Sequence, residues 1–145
     1  MRICALTALI CSFSISALAS DAQVCTDRWL AKVSNECGGG AGQEMQRCFG
    51  ARRQEADTKL NKVYGQLKAD LVSPSILVKA QKAWLNYRDA ECNYQASGYA
   101  CDTSVSGMCA LTIGICQMRL TCNRVKILRE HIEEKCNGCP VRKSE

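Results

Sequence analysis

One histidine, His131, in 145 residues removes most hydrolytic and metal chemistry at the outset. No His-Glu-x-x-His pair and no Gly-x-Ser-x-Gly elbow occurs. His131 falls late in a helical segment, where an imidazole facing solvent near the negative end of the helix dipole is the plainer account. The adjacent carboxylates Glu133 and Glu134 project in different directions and read as solvated charge. Strand signals are nearly absent, and there are two prolines in all. Gly38-Gly39-Gly40 lacks a following Lys-Ser/Thr and a preceding strand, so it reads as a linker and not a phosphate loop. No run of basic residues exceeds Arg52-Arg53, and the formal charge of +5 is spread along helical faces. That diffuseness argues against nucleic acid as a partner. No catalytic residue, cofactor site or metal ligand set is expected.

What the chain does have is cysteine, 12 in all. Arg2 followed by the apolar stretch from Ile3 to Leu18, with small residues at Ala17-Leu18-Ala19, reads as a cleavable export signal over residues 1–19. The apolar run falls short of the ~20 residues that span a bilayer, and no stable membrane insertion is expected once it is removed. Ile10 precedes Cys11 where a lipid-attachment box has Gly or Ala, so no lipid anchor is expected. The remainder keeps ten cysteines, 18 basic and 14 acidic residues, a net charge of +4. An even number of cysteines behind an export signal reads as a disulfide framework in a periplasmic or secreted protein.

Apolar spacing predicts an all-α fold, a disulfide-stapled antiparallel three-helix bundle with an extra short N-terminal helical segment. The segment is the amphipathic piece around Trp29, Leu30 and Val33, within an N-terminal region and glycine linker over residues 20–41. The bundle occupies residues 42–136. Met45, Phe49, Ala56, Leu60, Val63, Tyr64, Leu67 and Leu71 keep a helical period from about Gln43 to Leu71. Ser73-Pro74 then predicts a stop and a restart, Ser73 as N-cap and Pro74 as first helical residue. The second helix runs to about Gln95, and residues 97–108 form a loop. From Cys109 to about Lys135, Leu111, Ile115, Met118, Cys122, Val125, Leu128 (or Arg129) and Ile132 alternate threes and fours, a bundle seam. Residues 137–145 are expected to form a flexible tail.

The stretch from Gln81 to Cys92 puts Leu77, Gln81, Trp84, Arg88 and Cys92 on one helical stripe, so an arginine and a thiol lie in line with a core aromatic. Such an arginine needs an acid from another helix. In an up-down-up bundle Cys48, Cys92 and Cys116 lie at one end. At a rise of ~1.5 Å per residue, Asp57 lies ~13 Å below that end, Arg124 and Trp84 ~12 Å, and Arg88 ~6 Å. The expectation is a salt bridge between Asp57 and Arg124 beside Trp84, with Asn61 and Gln81 forming a second polar layer. Asp57, Asn61, Gln81, Arg88 and Arg124 make up the expected structural polar network. Tyr87, Arg88 and Asp89 are the candidate contact surface.

Four motifs stand in order: Cys37 with Gln43-Glu44-Met45-x-x-Cys48, Ala56-Asp57-x-x-Leu60-Asn61-x-x-Tyr64, Gln81-x-Ala83-Trp84-Leu85-x-Tyr87-Arg88-Asp89-x-x-Cys92, and Cys116-x-x-x-Leu120-Thr121-x-x-Arg124-x-x-x-Leu128. Together, over about residues 37–132, they resemble the LprI-like lysozyme inhibitor N-terminal domain family, a secreted bacterial helical domain. The resemblance implies a binding or inhibitory protein whose partner is a protein, with lysozyme the one the family name supplies. The chain departs from the family pattern in its extra cysteines Cys25, Cys101, Cys109, Cys122, Cys136 and Cys139, and in lacking a lipid-anchor cysteine. A basic inhibitor gains no long-range attraction to a basic lysozyme, but a local cation could enter a cleft that holds two carboxylates; since residues 96–108 carry no basic residue, it would come from a helix end or the N-terminal segment, for example Arg28 or Lys32. The alternative is an interaction module of the cell envelope without inhibitory activity.

Ten cysteines allow about nine hundred pairings. Helix geometry favours Cys37–Cys48, Cys92–Cys116 and Cys101–Cys109, leaving Cys25, Cys122, Cys136 and Cys139 open. Cys136-Asn137-Gly138-Cys139 has the spacing of a thiol-disulfide redox motif, a further alternative. Redox motifs place the first cysteine at a helix N-terminus, whereas Cys136 follows a helix, and structural use is the expectation. Zinc would need four thiolates kept reduced.

Overall fold

A computed structural model describes residues 22–99, 101 and 107–143. The expected export signal over residues 1–19 lies outside them. Four helices follow one another: α1 (Asp27–Gly38), α2 (Gly42–Asp70), α3 (Ser75–Ala96) and α4 (Gly107–Ile132). The fold is all-α, a disulfide-stapled helical bundle.

Thr26 starts α1, its hydroxyl accepting from the Trp29 N–H at 3.2 Å. Trp29, Val33 and Cys37 recur every fourth residue and are buried together, so the short helix is held by one apolar stripe. The glycines that read as a flexible linker form a tight turn. Gly39 ends α1, and Gly42 takes φ +52°, a left-handed backbone that disfavours side chains. Cys37, in the last turn of α1, is bridged to Cys48, in the second turn of α2.

The buried face of α2 is Phe49, Ala56, Leu60, Val63 and Leu67. Leu71 leaves the helix in extended conformation while its N–H still bonds the Leu67 carbonyl. The restart differs from expectation by one residue: Pro74, not Ser73, holds the N-cap position, and its carbonyl accepts from Val78 at 3.0 Å. Pro74 already has helical backbone angles and no N–H to lose, so it can stand where the helix begins. α4 is the central helix. Leu111, Met118, Thr121, Cys122, Val125 and Leu128 are buried along it, and it packs lengthwise on α2 and on α3. α2 and α3 scarcely approach each other. The bundle is therefore open on one side, a cleft walled by α2 and α3 and floored by α4.

The end of α4 and the tail depart from expectation. Glu134 adopts φ +55°, and Lys135 donates back to the Glu130 carbonyl at 2.9 Å, a reversal that ends the helix. Residues 141–143, expected to fray, dock beside the α2–α3 turn. Val72 donates to the Val141 carbonyl at 3.1 Å, Lys143 donates to the Asp70 carbonyl at 2.8 Å, and Leu71 and Arg142 form an isolated antiparallel bridge. The extended residues at the turn offer backbone groups that no helix satisfies, and the returning tail takes them up. Arg142 adds a bond to the Ile132 carbonyl at 2.6 Å.

Candidate functional site

The cleft brings together Asp57 from α2, Gln81, Trp84 and Arg88 from α3, and Thr121 and Arg124 from α4. The ion pair expected between Asp57 and Arg124 does not form. Asp57 Oδ1 accepts from Arg88 Nη1 at 3.2 Å, and its other oxygen lies 3.5 Å from Arg53 one turn earlier on the same helix. Arg88 also donates to Thr121 Oγ1 at 3.3 Å and to Asp89 Oδ1 at 2.9 Å. The correction follows from side-chain direction. Helical side chains lean toward their own N-terminus, so Arg88 on the antiparallel α3 leans down and Asp57 on α2 leans up, and they meet between their Cα levels.

Arg124 donates instead to Gln81 Oε1 at 3.1 Å. Both guanidinium groups lie against the Trp84 ring, Arg88 at 5.4 Å and Arg124 at 5.9 Å from its centroid, within cation–π range. Trp84 is half-buried at the edge of the core, not enclosed by it. Asn61, expected beside Gln81, is exposed and lines the cleft without a bond to it. Among the described residues Arg124 has no carboxylate partner. Burial lowers its pKa from the usual arginine value, though an arginine keeps its proton in a protein. Sequence reasoning missed Thr121, which is fully buried and also donates to Asp57 at 3.4 Å. Its place between Met118 and Val125 on the buried face of α4 was the available signal.

The candidate contact surface divides. Arg88 is drawn inward, its side chain 11% accessible, while Tyr87 and Asp89 stay exposed. Tyr87, Glu91 and Tyr94 fall at i, i+4 and i+7 on the outer face of α3, and Tyr94 is 74% exposed. This face is aromatic and acidic once Arg88 is taken from it. Arg28 and Lys32 sit on the exposed side of α1, and Lys32 pairs with Glu36 one turn on.

The bridges are Cys25–Cys122, Cys37–Cys48, Cys92–Cys116, Cys101–Cys109 and Cys136–Cys139. The two pairs that sequence left open thus tie the N-terminal segment to α4 and close a small loop after it. Cys136 lies beyond the C-terminal end of α4, with Gly138 at φ +70° turning the chain between the two sulfurs. Among the described residues no group of three or more His, Cys, Asp or Glu is placed to hold a metal, and no helix is long and apolar enough to cross a membrane.

A family model described as Lysozyme inhibitor LprI matches residues 34–128, well over half of the chain. The match begins in α1 and runs nearly to the end of α4, so it contains the whole cleft and the outer face of α3. No curated protein and no solved structure matches the chain.

Proposed function

The chain belongs to the LprI lysozyme inhibitor family, and from that membership we propose that it is an exported bacterial binding protein that inhibits lysozyme or an equivalent envelope partner. The observation that carries the reading is the family match across the bundle. Five disulfides fit an oxidising compartment outside the cytoplasm.

The surface best suited to the task is the outer face of α3. A net positive inhibitor is not steered toward a basic enzyme as a whole, but local complementarity acts over the first ~10 Å. Tyr87 and Tyr94 supply rigid amphipathic area of the kind that dominates interface energetics, and Glu91 on the same stripe supplies the opposite charge. Arg28 and Lys32 stand on α1 and would serve only a partner that also reaches that helix.

The test is a cell-wall lysis assay with the purified oxidised protein against animal and bacterial lysozymes. Inhibition is expected, with Tyr87→Ala/Tyr94→Ala weakening it at least about tenfold, since two interface tyrosines contribute ~2 kcal/mol or more. Unimpaired lysis at stoichiometric excess rejects the inhibitor reading. Full inhibition by the double variant rejects the α3 face.

A further inference from the structure

The apolar end of the cleft is a second site, apart from the α3 outer face. It is a hollow of about 600 Å³ between the last turn of α2, the first turns of α3, the second half of α4 and the docked tail. That lies within the ~300–1,000 Å³ of sites that hold small molecules. Leu67, Leu71, Leu77, Leu128 and Val141 supply an almost wholly apolar lining. Ile76 and Val141 stand at its mouth, 74% and 76% exposed, apolar surface that water should not be left to cover.

Its polar lining is Ser73, Arg124 and His131. Arg124 enters from α4, held in place by Gln81 and the Trp84 ring, and its terminal nitrogens carry no hydrogen bond to any described residue. No side-chain nitrogen without a partner is fully buried among the described residues, so these nitrogens stay accessible, and an anion in the trough can reach them. The neighbouring arginine shows the contrast: Arg88 has Asp57 and Asp89. One unmatched cation at the end of an apolar trough is complementary to a molecule with one anionic end and an unbranched apolar body.

We infer that the trough binds a single-chain fatty carboxylate, its headgroup on Arg124 and its chain lying along Leu77, Leu71 and Leu128 toward Val141. The docked tail forms one wall, so the site exists only in the folded chain with its C-terminus in place. The ligand site rests on the first turns of α3, and the proposed lysozyme contact on the later turns of the same helix.

The experiment is calorimetric titration of the oxidised protein with laurate and with 1-dodecanol, each below its aggregation concentration. Laurate is expected to saturate at one molecule per chain and to bind about tenfold tighter than the alcohol, as a charge-assisted bond from a half-buried arginine implies. Arg124→Gln should abolish the preference and leave alcohol binding. Ile76→Glu, at an exposed position that the fold does not need, should weaken both. Equal affinity for acid and alcohol, a preference that survives Arg124→Gln, or no saturable binding overturns the inference. So does a concentration-dependent dimer that Ile76→Glu dissociates, which would make the trough a self-association face.

Discussion

Exchanging the partner of Asp57 from Arg124 to Arg88 has a measurable energetic consequence. Arg88 is nearly buried and Asp57 about a third exposed, so their bond is neither a surface pair nor a fully desolvated one. A hydrogen bond to a charged group contributes ~1.5–3 kcal/mol, and the exposure of Asp57 brings the expected coupling to ~1–2 kcal/mol. Single replacement Asp57→Ala should cost more than the coupling, because the bonds from Thr121 and Arg53 are lost with the one from Arg88, while Thr121 and Asp89 remain to the guanidinium. The assay is a pair of double-mutant cycles by urea unfolding of the oxidised protein, Asp57→Ala with Arg88→Ala and Asp57→Ala with Arg124→Ala. The second cycle should give a coupling below ~0.5 kcal/mol, the level at which separate sites are additive. Raising salt to ~1 M should shrink the first coupling only in part, since a half-buried pair is screened less than a surface one. A coupling to Arg124 as large as that to Arg88 would refute the assignment and restore the pairing that helix rise alone predicts.

Two further outcomes test the scaffold. Cys25→Ser/Cys122→Ser opens a loop of 97 residues and should cost ~4.7 kcal/mol by chain entropy, whereas Cys136→Ser/Cys139→Ser opens one of 3 and should cost ~2 kcal/mol; urea midpoints of the two variants, read at equal slope, decide the order. Removing residues 141–145 deletes the bonds from Val72, Lys143 and Arg142 and bares Leu71, and should destabilise by ~1–3 kcal/mol. Amide exchange of Val72 should quicken in the truncated chain, and an unchanged rate would show that the tail does not hold the turn.

The helices were legible because each carries a periodic apolar face: Phe49 to Leu67 on α2 and Leu111 to Leu128 on α4 alternate threes and fours, and a pattern of that length leaves no strand alternative. The residues of the polar layer were legible too, since charged and amide groups on a stripe with Trp84 have to find one another. Their pairing was not. Helix rise fixes the height of a Cα, but a long side chain such as that of Arg88 reaches across a turn, and its direction of lean decides whether it or Arg124 meets Asp57. The docked tail was illegible for a different reason. Its partners are backbone groups of Asp70 and Val72, which every residue has, so no residue type at 141–143 announces the contact. Tyr94 and Glu91 were passed over because an exposed face has no periodic constraint to reveal it.

The arrangement of covalent ties explains why the cleft is the adaptable part of the molecule. Cys37–Cys48 fixes α1 to α2, Cys25–Cys122 fixes the N-terminal segment to α4, and Cys92–Cys116 fixes α3 to α4. None of the five bridges joins α2 to α3. Beyond their common packing on α4, those helices are linked by the turn at residues 71–74, by the tail that docks against it, and by the bond from Arg88 to Asp57. Disulfides restrain chiefly the unfolded chain, while the width of a gap between helices depends on the contacts that cross it. The crossing contact lies at the polar half of the cleft and the docked tail at the apolar half, with Arg124 between them. A ligand that engages Arg124 therefore acts between two non-covalent fastenings, at a place where no disulfide spans α2 and α3.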